Sequence, residues 1–142
     1  MKISTILATK GQNVVTIRSE QPVQVAIELF VQHNIGALVV VDEAGQVVGL
    51  LSERHIVRAL ARLPDLLAQP VDQVMSRDRI IVSPQDDVVA VMQAMTEKRF
   101  RYLLVMDNGK LAGIVSIGDV IKAQLDTYQG EVETLETQIT EG

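Results

Sequence analysis

The polar pair with the clearest chemical potential in this sequence lies at the start of a predicted helix. Ser116 and Asp119 stand three positions apart, where a strand-forming run ends and a helical run begins. A serine and an acidic residue at this spacing form a capping box, which satisfies free amide groups of the first helical turn. The alternative is a binding site: the carboxylate can accept hydrogen bonds from both hydroxyls of a ribose, while Ser116 or the helix amides hold a phosphate.

The same arrangement occurs earlier in the chain with a different residue in the acidic position. Ser52 precedes a helical run, and His55 stands three residues later. A carboxylate can accept from both ribose hydroxyls, whereas a neutral imidazole has one acceptor nitrogen and an imidazolium has none. We therefore expect a site at these residues to bind ribose more weakly or to hold a different part of the ligand. The alternative is that His55 is a solvated residue at a helix start.

Four arginines are predicted to lie near these helix starts. Arg99 and Arg101 flank Phe100 just before a predicted buried strand. Arg54 and Arg58 lie one turn apart on a predicted helix. Guanidinium groups bind phosphate in a bidentate manner. The alternative is ordinary charged surface, which exposed helix faces normally carry.

An internal repeat positions both helix starts. Residues 15–42 align with residues 80–107, and Val23 then falls on Val88. One residue is dropped in the following turn, after which Ser52 falls on Ser116. Hydrophobic periodicity predicts the same order in each copy: strand, helix, strand, turn, strand, helix.

The predicted elements follow from apolar spacing, turn residues and caps. In the first copy they are a strand at 14–17, a helix from Pro22 through Asn34, a buried strand at 37–41, a turn at 42–45, a strand at 46–51 and a helix at 53–62. In the second copy they are a strand at 80–82, a helix at 86–98, a buried strand at 102–106, a turn at 107–109, a strand at 110–115 and a helix at 117–124. Ser4 and Asp72 are predicted to cap short turns ahead of the two copies.

Composition limits the classes of function. The 142 residues carry a formal charge of −5 and only 3% aromatic side chains, which disfavours a nucleic-acid partner. The absence of cysteine excludes disulfides, thiolate metal sites and cysteine nucleophiles, and two histidines supply a metal site poorly. No apolar run approaches the ~20 residues of a membrane span, and no leader precedes the first polar residues. We predict a cytoplasmic protein without catalytic residues.

Two copies in register resemble tandem CBS (cystathionine β-synthase) domains, the Bateman module, of the stand-alone CBS-pair type. The segments GLLSERHIVRAL and MTEKRFRYLLVMDNGKLAGIVSIGDVIKA carry the resemblance, which covers residues 3–125. It implies an α/β (α+β) fold of two βαββα repeats packed around a pseudo-two-fold axis, each with a small mixed sheet and two helices. The expected division is repeat 1 with a short N-terminal helix at 1–62, a linker at 63–71, repeat 2 at 72–126, and an acidic amphipathic helix or tail at 127–142.

The resemblance also implies two ligand clefts between the repeats. The first would be formed by the backbone at Val15 and Ile114, by Gly36 and Ala37, and by the helix start Ser116, Ile117, Gly118 and Asp119. The second would be formed by Ser52 and His55, by the backbone near Leu50 and Ile80, and by Arg101 and Tyr102. Arg54, Arg58 and Arg99 are predicted from their positions to add phosphate contacts there.

A regulatory role is what such clefts imply. We expect a sensor that binds AMP or NAD(H), with ATP, ADP or S-adenosylmethionine as alternatives, and that responds through conformation or assembly. We also expect a homodimer formed through the CBS helices and an unidentified regulated protein as a partner. The alternative is a structural dimerisation or docking module whose clefts stay empty.

Overall fold

The first repeat has the predicted βαββα order. The computed structural model describes residues 1–11 and 13–141, except for the side chains of residues 140 and 141. The elements of repeat 1 are β1 (Thr16–Arg18), α2 (Val23–His33), β2 (Ala37–Val41), β3 (Val47–Ser52) and α3 (Glu53–Leu60), and they follow α1 (Ile3–Lys10).

The second repeat has the same order. Its elements are β4 (Ile80–Val82), α4 (Val88–Lys98), β5 (Tyr102–Asp107), β6 (Lys110–Ser116) and α5 (Ile117–Glu141). Two short 3₁₀ turns, Leu66–Ala68 and Val71–Gln73, lie between the repeats. The predicted α+β class is confirmed.

Each repeat contains a small mixed sheet. Over the described residues the strands form two three-stranded sheets, β1-β2-β3 and β4-β5-β6. The first pair of strands in each sheet is parallel and the second pair is antiparallel. The central strands are buried, as their continuous apolar runs predict. Because β3 and β6 end at Ser52 and Ser116, a helix begins directly at the end of each third strand.

Two predicted caps are wrong. Ser4 lies inside α1 and Asp72 lies inside the second 3₁₀ turn. The first amides of α1 are satisfied by a loop of repeat 2 instead of by a side chain: the amide of Ile3 donates to the carbonyl of Asp86 at 3.0 Å, and the amide of Ser4 donates to that of Pro84 at 2.8 Å. Residue 86 also lies outside α4, because Asp87 caps that helix through the amide of Ala90 at 3.2 Å.

The hydrophobic core of each repeat includes side chains from the segment that precedes the other repeat in the sequence. The core of repeat 2 includes three side chains of α1, namely Ile3, Ile6 and Leu7. The core of repeat 1 includes three side chains of the following linker region, namely Leu66, Val71 and Val74. The position of α1 in the sequence predicts that it belongs with repeat 1, but α1 packs on repeat 2. A third cluster joins the repeats through Ala37, Val39, Leu50 and Leu104.

The C-terminal segment continues α5 and is not a separate helix. α5 runs for 25 residues, and every described side chain after Thr127 is exposed. The predicted helical character is therefore present, but in the described residues this segment does not pack on its own domain; residue 142 lies outside them. No helix of the described part is long and apolar enough to cross a bilayer.

Gly49 and Gly113 are equivalent positions of the two repeats, and each lies against the segment that precedes the other repeat: residues 75 and 76 pack on Gly49, and α1 packs on Gly113. A Cβ at Gly49 would lie 2.8 Å from the backbone oxygen of Ser76, whereas a Cβ at Gly113 would meet a side-chain methyl of Leu7 at 2.6 Å. The backbone cannot move aside as a methyl group can. We expect Gly49→Ala to cost about 1–3 kcal/mol in the free energy of unfolding, and Gly113→Ala to cost less.

Urea unfolding of both variants measures this difference. Gly130→Ala is the control, since nothing lies near that position and alanine favours a helix by up to about 1 kcal/mol. Equal losses at Gly49 and Gly113 would contradict the backbone argument.

Candidate functional site

Both predicted capping boxes are present at the helix starts. The amide of Ser116 donates to Asp119 Oδ2 at 2.8 Å, and the amide of Asp119 donates to Ser116 Oγ at 3.1 Å. In repeat 1 the amide of Ser52 donates to His55 Nδ1 at 2.9 Å, and Ser52 Oγ accepts in return from the third helical amide. The two sites therefore share one backbone geometry and differ in the third helical side chain.

Each helix start is tied to the residue that precedes the central strand. The amide of Glu53 donates to the carbonyl of Gly36 at 3.1 Å, and the amide of Ile117 donates to that of Arg101 at 2.8 Å. Gly36 also faces the other repeat, because a Cβ there would lie 2.8 Å from the hydroxyl oxygen of Tyr102. The close approach of Gly36 and Tyr102 brings the two repeats together beside both helix starts.

Lys10 occupies the polar groups of the first cleft. Its ammonium donates to Asp119 Oδ2 at 2.6 Å and to the carbonyl of Ile114 at 2.7 Å. Asp119 is the carboxylate predicted to accept from a ribose, and the backbone at Ile114 is predicted to line the same cleft. Lys10 was not predicted as a site residue, because it lies more than a hundred positions from Asp119 and no local pattern links the two.

The carboxyl of Asp119 is held in its charged form. Partial burial alone raises its pKa, but the hydrogen bonds from Lys10 and from Ser116, together with the charge of Lys10, lower the pKa below the ordinary value. An ionised carboxylate bound to an ammonium is a closed polar pair, with side chains only 29% and 35% exposed.

The other predicted residues of the first cleft are engaged in the fold. The carbonyl of Val15 accepts from the amide of Val39 at 3.3 Å, and Ala37 is buried in the cluster between the repeats. Ile117 and Gly118 form the first turn of α5. Of the predicted set, Ile114 and Ser116 contact the Lys10–Asp119 pair directly.

The second cleft is an open cavity of about 350 Å³, a size within the usual range for small ligands. We call it the arginine cleft. Its lining includes most of the residues predicted for it, and Ser76, Asp78 and Phe100 in addition: Leu50, Ser52, Arg54, His55, Arg58, Ser76, Asp78, Arg99, Phe100, Arg101 and Tyr102. Ile80 does not line this cavity; it pairs with Leu103 in the second sheet.

Two of the three unpredicted lining residues, Ser76 and Asp78, lie in the segment between α3 and β4; we call this whole segment, residues 61–79, the linker. Ser76 and Leu50 exchange two backbone hydrogen bonds of 2.9 Å each, which attach the linker to β3 beside the cleft. Ser76 Oγ also donates to the carbonyl of Asp78 at 3.1 Å, which orders the next residues. No turn or cap signal in the sequence predicts this pairing of a linker with a strand.

Positive charge dominates the arginine cleft. Within the described part of the chain, none of the four guanidinium groups forms a salt bridge. Arg101 and then Arg58 lower the pKa of Arg54 by repulsion between like charges. Asp78 is the only acidic residue among the described residues that line this cavity. The cleft therefore has an excess of positive charge that a bound anion would neutralise.

His55 presents a donor where Asp119 presents an acceptor. Because Nδ1 accepts the amide hydrogen of Ser52, the proton of the neutral ring lies on Nε2. Burial lowers the pKa of His55, and the charges of Arg54 and Arg58 lower it further, so the ring is neutral at neutral pH. Its remaining N–H is then a hydrogen-bond donor. This polarity suits a phosphate oxygen better than a ribose hydroxyl pair.

Tyr102 lies between the two clefts and stays protonated. Burial raises the pKa of its hydroxyl, and the charges of Glu53 and Asp119 also raise it, against an opposing effect of Arg101. The protonated hydroxyl can donate or accept. The described residues contain no cluster of acidic or histidine side chains able to hold a metal ion.

The comparison with protein families is consistent with the duplicated fold. The CBS domain model matches residues 4–62 and 71–126. The CBS domain-containing protein YhcV of Bacillus subtilis is 33% identical over 87% of this chain and 87% of its own length. The mitochondrial CBS domain-containing protein CBSX3 of Arabidopsis thaliana is 30% identical over 99% of this chain and 72% of its own. An uncharacterized 17.7 kDa protein of Acidianus ambivalens is 35% identical over 89% and 75%.

Solved structures agree with this assignment. The CBS-domain containing protein ATU1752 of Agrobacterium tumefaciens is 37% identical, with a TM-score of 0.82 over 87% of this chain and 92% of that one. The CBS domain pair of protein MJ0100, solved in complex with 5-methylthioadenosine and S-adenosyl-L-methionine, is 25% identical, with a TM-score of 0.76 over 87% and 98%. The chain therefore belongs to the CBS domain family and carries two CBS domains in tandem.

Proposed function

We propose that this protein is a regulatory module that binds an adenosine-containing nucleotide in the arginine cleft. One observation carries the proposal: four guanidinium groups without a salt-bridge partner among the described residues surround a cavity of about 350 Å³. The complex of the MJ0100 CBS pair with two adenosine compounds supports the ligand class. AMP and NAD(H) are the first candidates, and ADP and ATP are alternatives.

The charge of the cleft favours a phosphate-bearing ligand over S-adenosylmethionine. A sulfonium ion adds positive charge to a site that already holds four arginines, whereas a phosphate accepts their hydrogen bonds. In this proposal the phosphate lies among Arg54, Arg58 and the N–H of His55. The base packs on the apolar surface of Leu50 and Phe100, which line the same cavity.

Ligand binding would couple the two repeats. Arg54 and Arg58 belong to repeat 1, while Arg99 and Arg101 belong to repeat 2, so one phosphate can contact both. Without an anion these groups repel one another, as the lowered pKa of Arg54 indicates. A ligand that binds the closed arrangement more tightly shifts the population toward it. That shift is the proposed signal.

In this proposal Lys10 occupies the polar groups of the first cleft in the resting protein, although Lys10 and Asp119 also line an open groove of about 390 Å³ between α1 and α5. Any ligand that uses Asp119 and the carbonyl of Ile114 must first displace Lys10 from both groups. The resting protein would therefore bind one nucleotide per chain. The cytoplasmic location, the non-catalytic role, the homodimer through the CBS helices and the regulated partner stay predictions.

The first test separates phosphate recognition from base recognition. Isothermal titration calorimetry should show one AMP per chain, bound at least about tenfold more tightly than adenosine, since charge-assisted hydrogen bonds contribute about 1.5–3 kcal/mol each. Arg58→Ala should lower the affinity for AMP by a similar factor and leave that for adenosine unchanged.

Arg62→Ala is the matched control, because Arg62 is exposed just beyond α3 and does not line the cleft. An unchanged AMP affinity in Arg58→Ala would reject the arginine cleft as the phosphate site. No binding of AMP, ADP, ATP, NAD or NADH would favour the structural docking module.

A second test replaces the hydrogen-bond donor at position 55 of the arginine cleft by an acceptor. In His55→Asp the new carboxylate can still accept from the amide of Ser52, so the thermal midpoint should change little. The carboxylate should repel a phosphate, and we expect the affinity for AMP to fall at least about tenfold. His33→Asp, at the exposed end of α2, is the control for added charge. Tighter AMP binding in His55→Asp would contradict the proposed phosphate position.

A third test removes the cation from the first cleft. In Lys10→Met the pKa of Asp119 should rise, because its strongest favourable hydrogen bond is lost while burial remains. Titration of the carboxyl carbon by NMR measures that rise. Calorimetry should show a second nucleotide per chain. Lys2→Met, at the opposite end of α1, is the matched control.

The pH dependence of stability follows from the same pair. A depressed carboxyl pKa stabilises the fold above the unfolded value of about 3.9, and this contribution is lost as the pH falls through the folded pKa. The acid limb of the unfolding curve should therefore shift to higher pH in Lys10→Met. A stoichiometry of one in that variant would reject Lys10 as the group that closes the first cleft.

A further inference from the structure

The C-terminal helix carries a regular apolar stripe that stays exposed in the part of the chain that the structure describes. Six large apolar side chains, each between 47% and 79% exposed, follow one another at alternating spacings of four and three residues: Ile121, Leu125, Tyr128, Val132, Leu135 and Ile139. We call this set the α5 stripe. Alternation of three and four is the spacing of the core positions of a coiled coil.

The rest of the helix supports this pattern. Between Ile121 and Ile139, all the positions outside the α5 stripe hold a polar residue, a charged residue, alanine or glycine. Val120 and Ala123 pack the beginning of α5 onto repeat 2 from a different side of the helix. From Tyr128 onward every described side chain is exposed. A helical segment of this length is marginally stable without packing, so a partner for the stripe is expected on physical grounds.

We propose that the α5 stripe binds the α5 stripe of a second copy of this chain, with the two helices antiparallel. In that arrangement Ile121 of one copy lies against Ile139 of the other, and Leu125 lies against Leu135. Tyr128 lies against Val132 across the two-fold axis. Every core layer is then filled by two apolar side chains, and none is left over. The stripe is therefore complementary to itself.

Flanking charges select the antiparallel direction. With parallel helices, Glu131 of each copy would lie beside Glu136 of the other, which places two pairs of like charges at the interface edge. With antiparallel helices, Lys122 of each copy lies beside Glu136 of the other. Lys122 is the only basic residue of α5. The antiparallel pair thus replaces two repulsive contacts by two attractive ones, and it introduces one repulsive Glu131–Glu131 contact at the axis.

The mass of the full chain in solution tests the proposal. Sedimentation equilibrium should give the wild-type protein a mass that falls by half in Val132→Glu/Leu135→Glu, because two charges then enter the core of the helix pair. Both residues are exposed and contact no core cluster, so the thermal midpoint of each repeat should be retained. Thr134→Glu/Thr137→Glu adds the same charge to the same helix off the stripe and should retain the wild-type mass.

Either of two results would overturn the proposal. The first is a wild-type chain that is monomeric at tens of micromolar. The second is a stripe variant that keeps the wild-type mass, which would assign any dimer to another surface. Nucleotide affinity is measured in a separate experiment, so a result that rejects the helix pair does not bear on ligand binding in the arginine cleft.

Single cysteines test the helix direction, since the chain contains no cysteine of its own. Glu131→Cys places two thiols near each other at the antiparallel axis and should form a disulfide-linked dimer under mild oxidation. Leu135→Cys places its two copies ten residues apart along an antiparallel pair, about 15 Å, and should not crosslink. Crosslinking of Leu135→Cys with none in Glu131→Cys would establish parallel helices and refute the antiparallel pair.

Discussion

The strand-to-helix junction, built twice, is the constraint on which both clefts depend. In each repeat a serine ends the third strand and begins a helix, and the next amide donates to the carbonyl that precedes the central strand. These hydrogen bonds fix where the third helical residue stands. With the backbone fixed, the chemistry of each cleft depends on that side chain, which is Asp119 in one repeat and His55 in the other.

This single difference gives the clefts opposite polarity. The carboxylate of Asp119 is an acceptor and attracts a cation, and Lys10 supplies one from the same chain. His55 is held neutral by burial and nearby arginines, and its free ring nitrogen donates. Duplication thus preserved the backbone while the two sites diverged in charge. A nucleotide contains both a diol and a phosphate, so clefts of either polarity can serve one ligand class.

Much of this fold follows from local sequence patterns. The repeat alignment, the buried central strands and the Ser52 and Ser116 caps depend on short-range spacing, and the structure contains them. The clustering of Arg54, Arg58, Arg99 and Arg101 also agrees with the predicted meeting of the two repeats, since one pair lies in the first turns of α3 and the other lies just before β5.

The failures have one physical origin, which is contact between distant segments. Ser4 was predicted as a cap, but loop carbonyls of repeat 2 satisfy the first amides of α1. Lys10 was not predicted at Asp119, and Ser76 and Asp78 were not predicted in the arginine cleft. In each case a segment before one repeat packs on the other. Periodicity within a segment cannot reveal which distant surface will cover it.

The segment that precedes each repeat packs on the other repeat, and this explains why the two clefts differ in charge balance as well as in polarity. α1 packs against Gly113 through Leu7, and the linker packs against the equivalent Gly49 through Met75. The chain that follows each contact enters a cleft: α1 delivers Lys10 to a single carboxylate, and the linker delivers Asp78 to four arginines. The single charge of Lys10 balances Asp119 in the first cleft. The single charge of Asp78 leaves the arginine cleft with an excess of positive charge. An incoming anion therefore meets an unbalanced charge in the arginine cleft, whereas in the first cleft it must compete with a pair that is already formed.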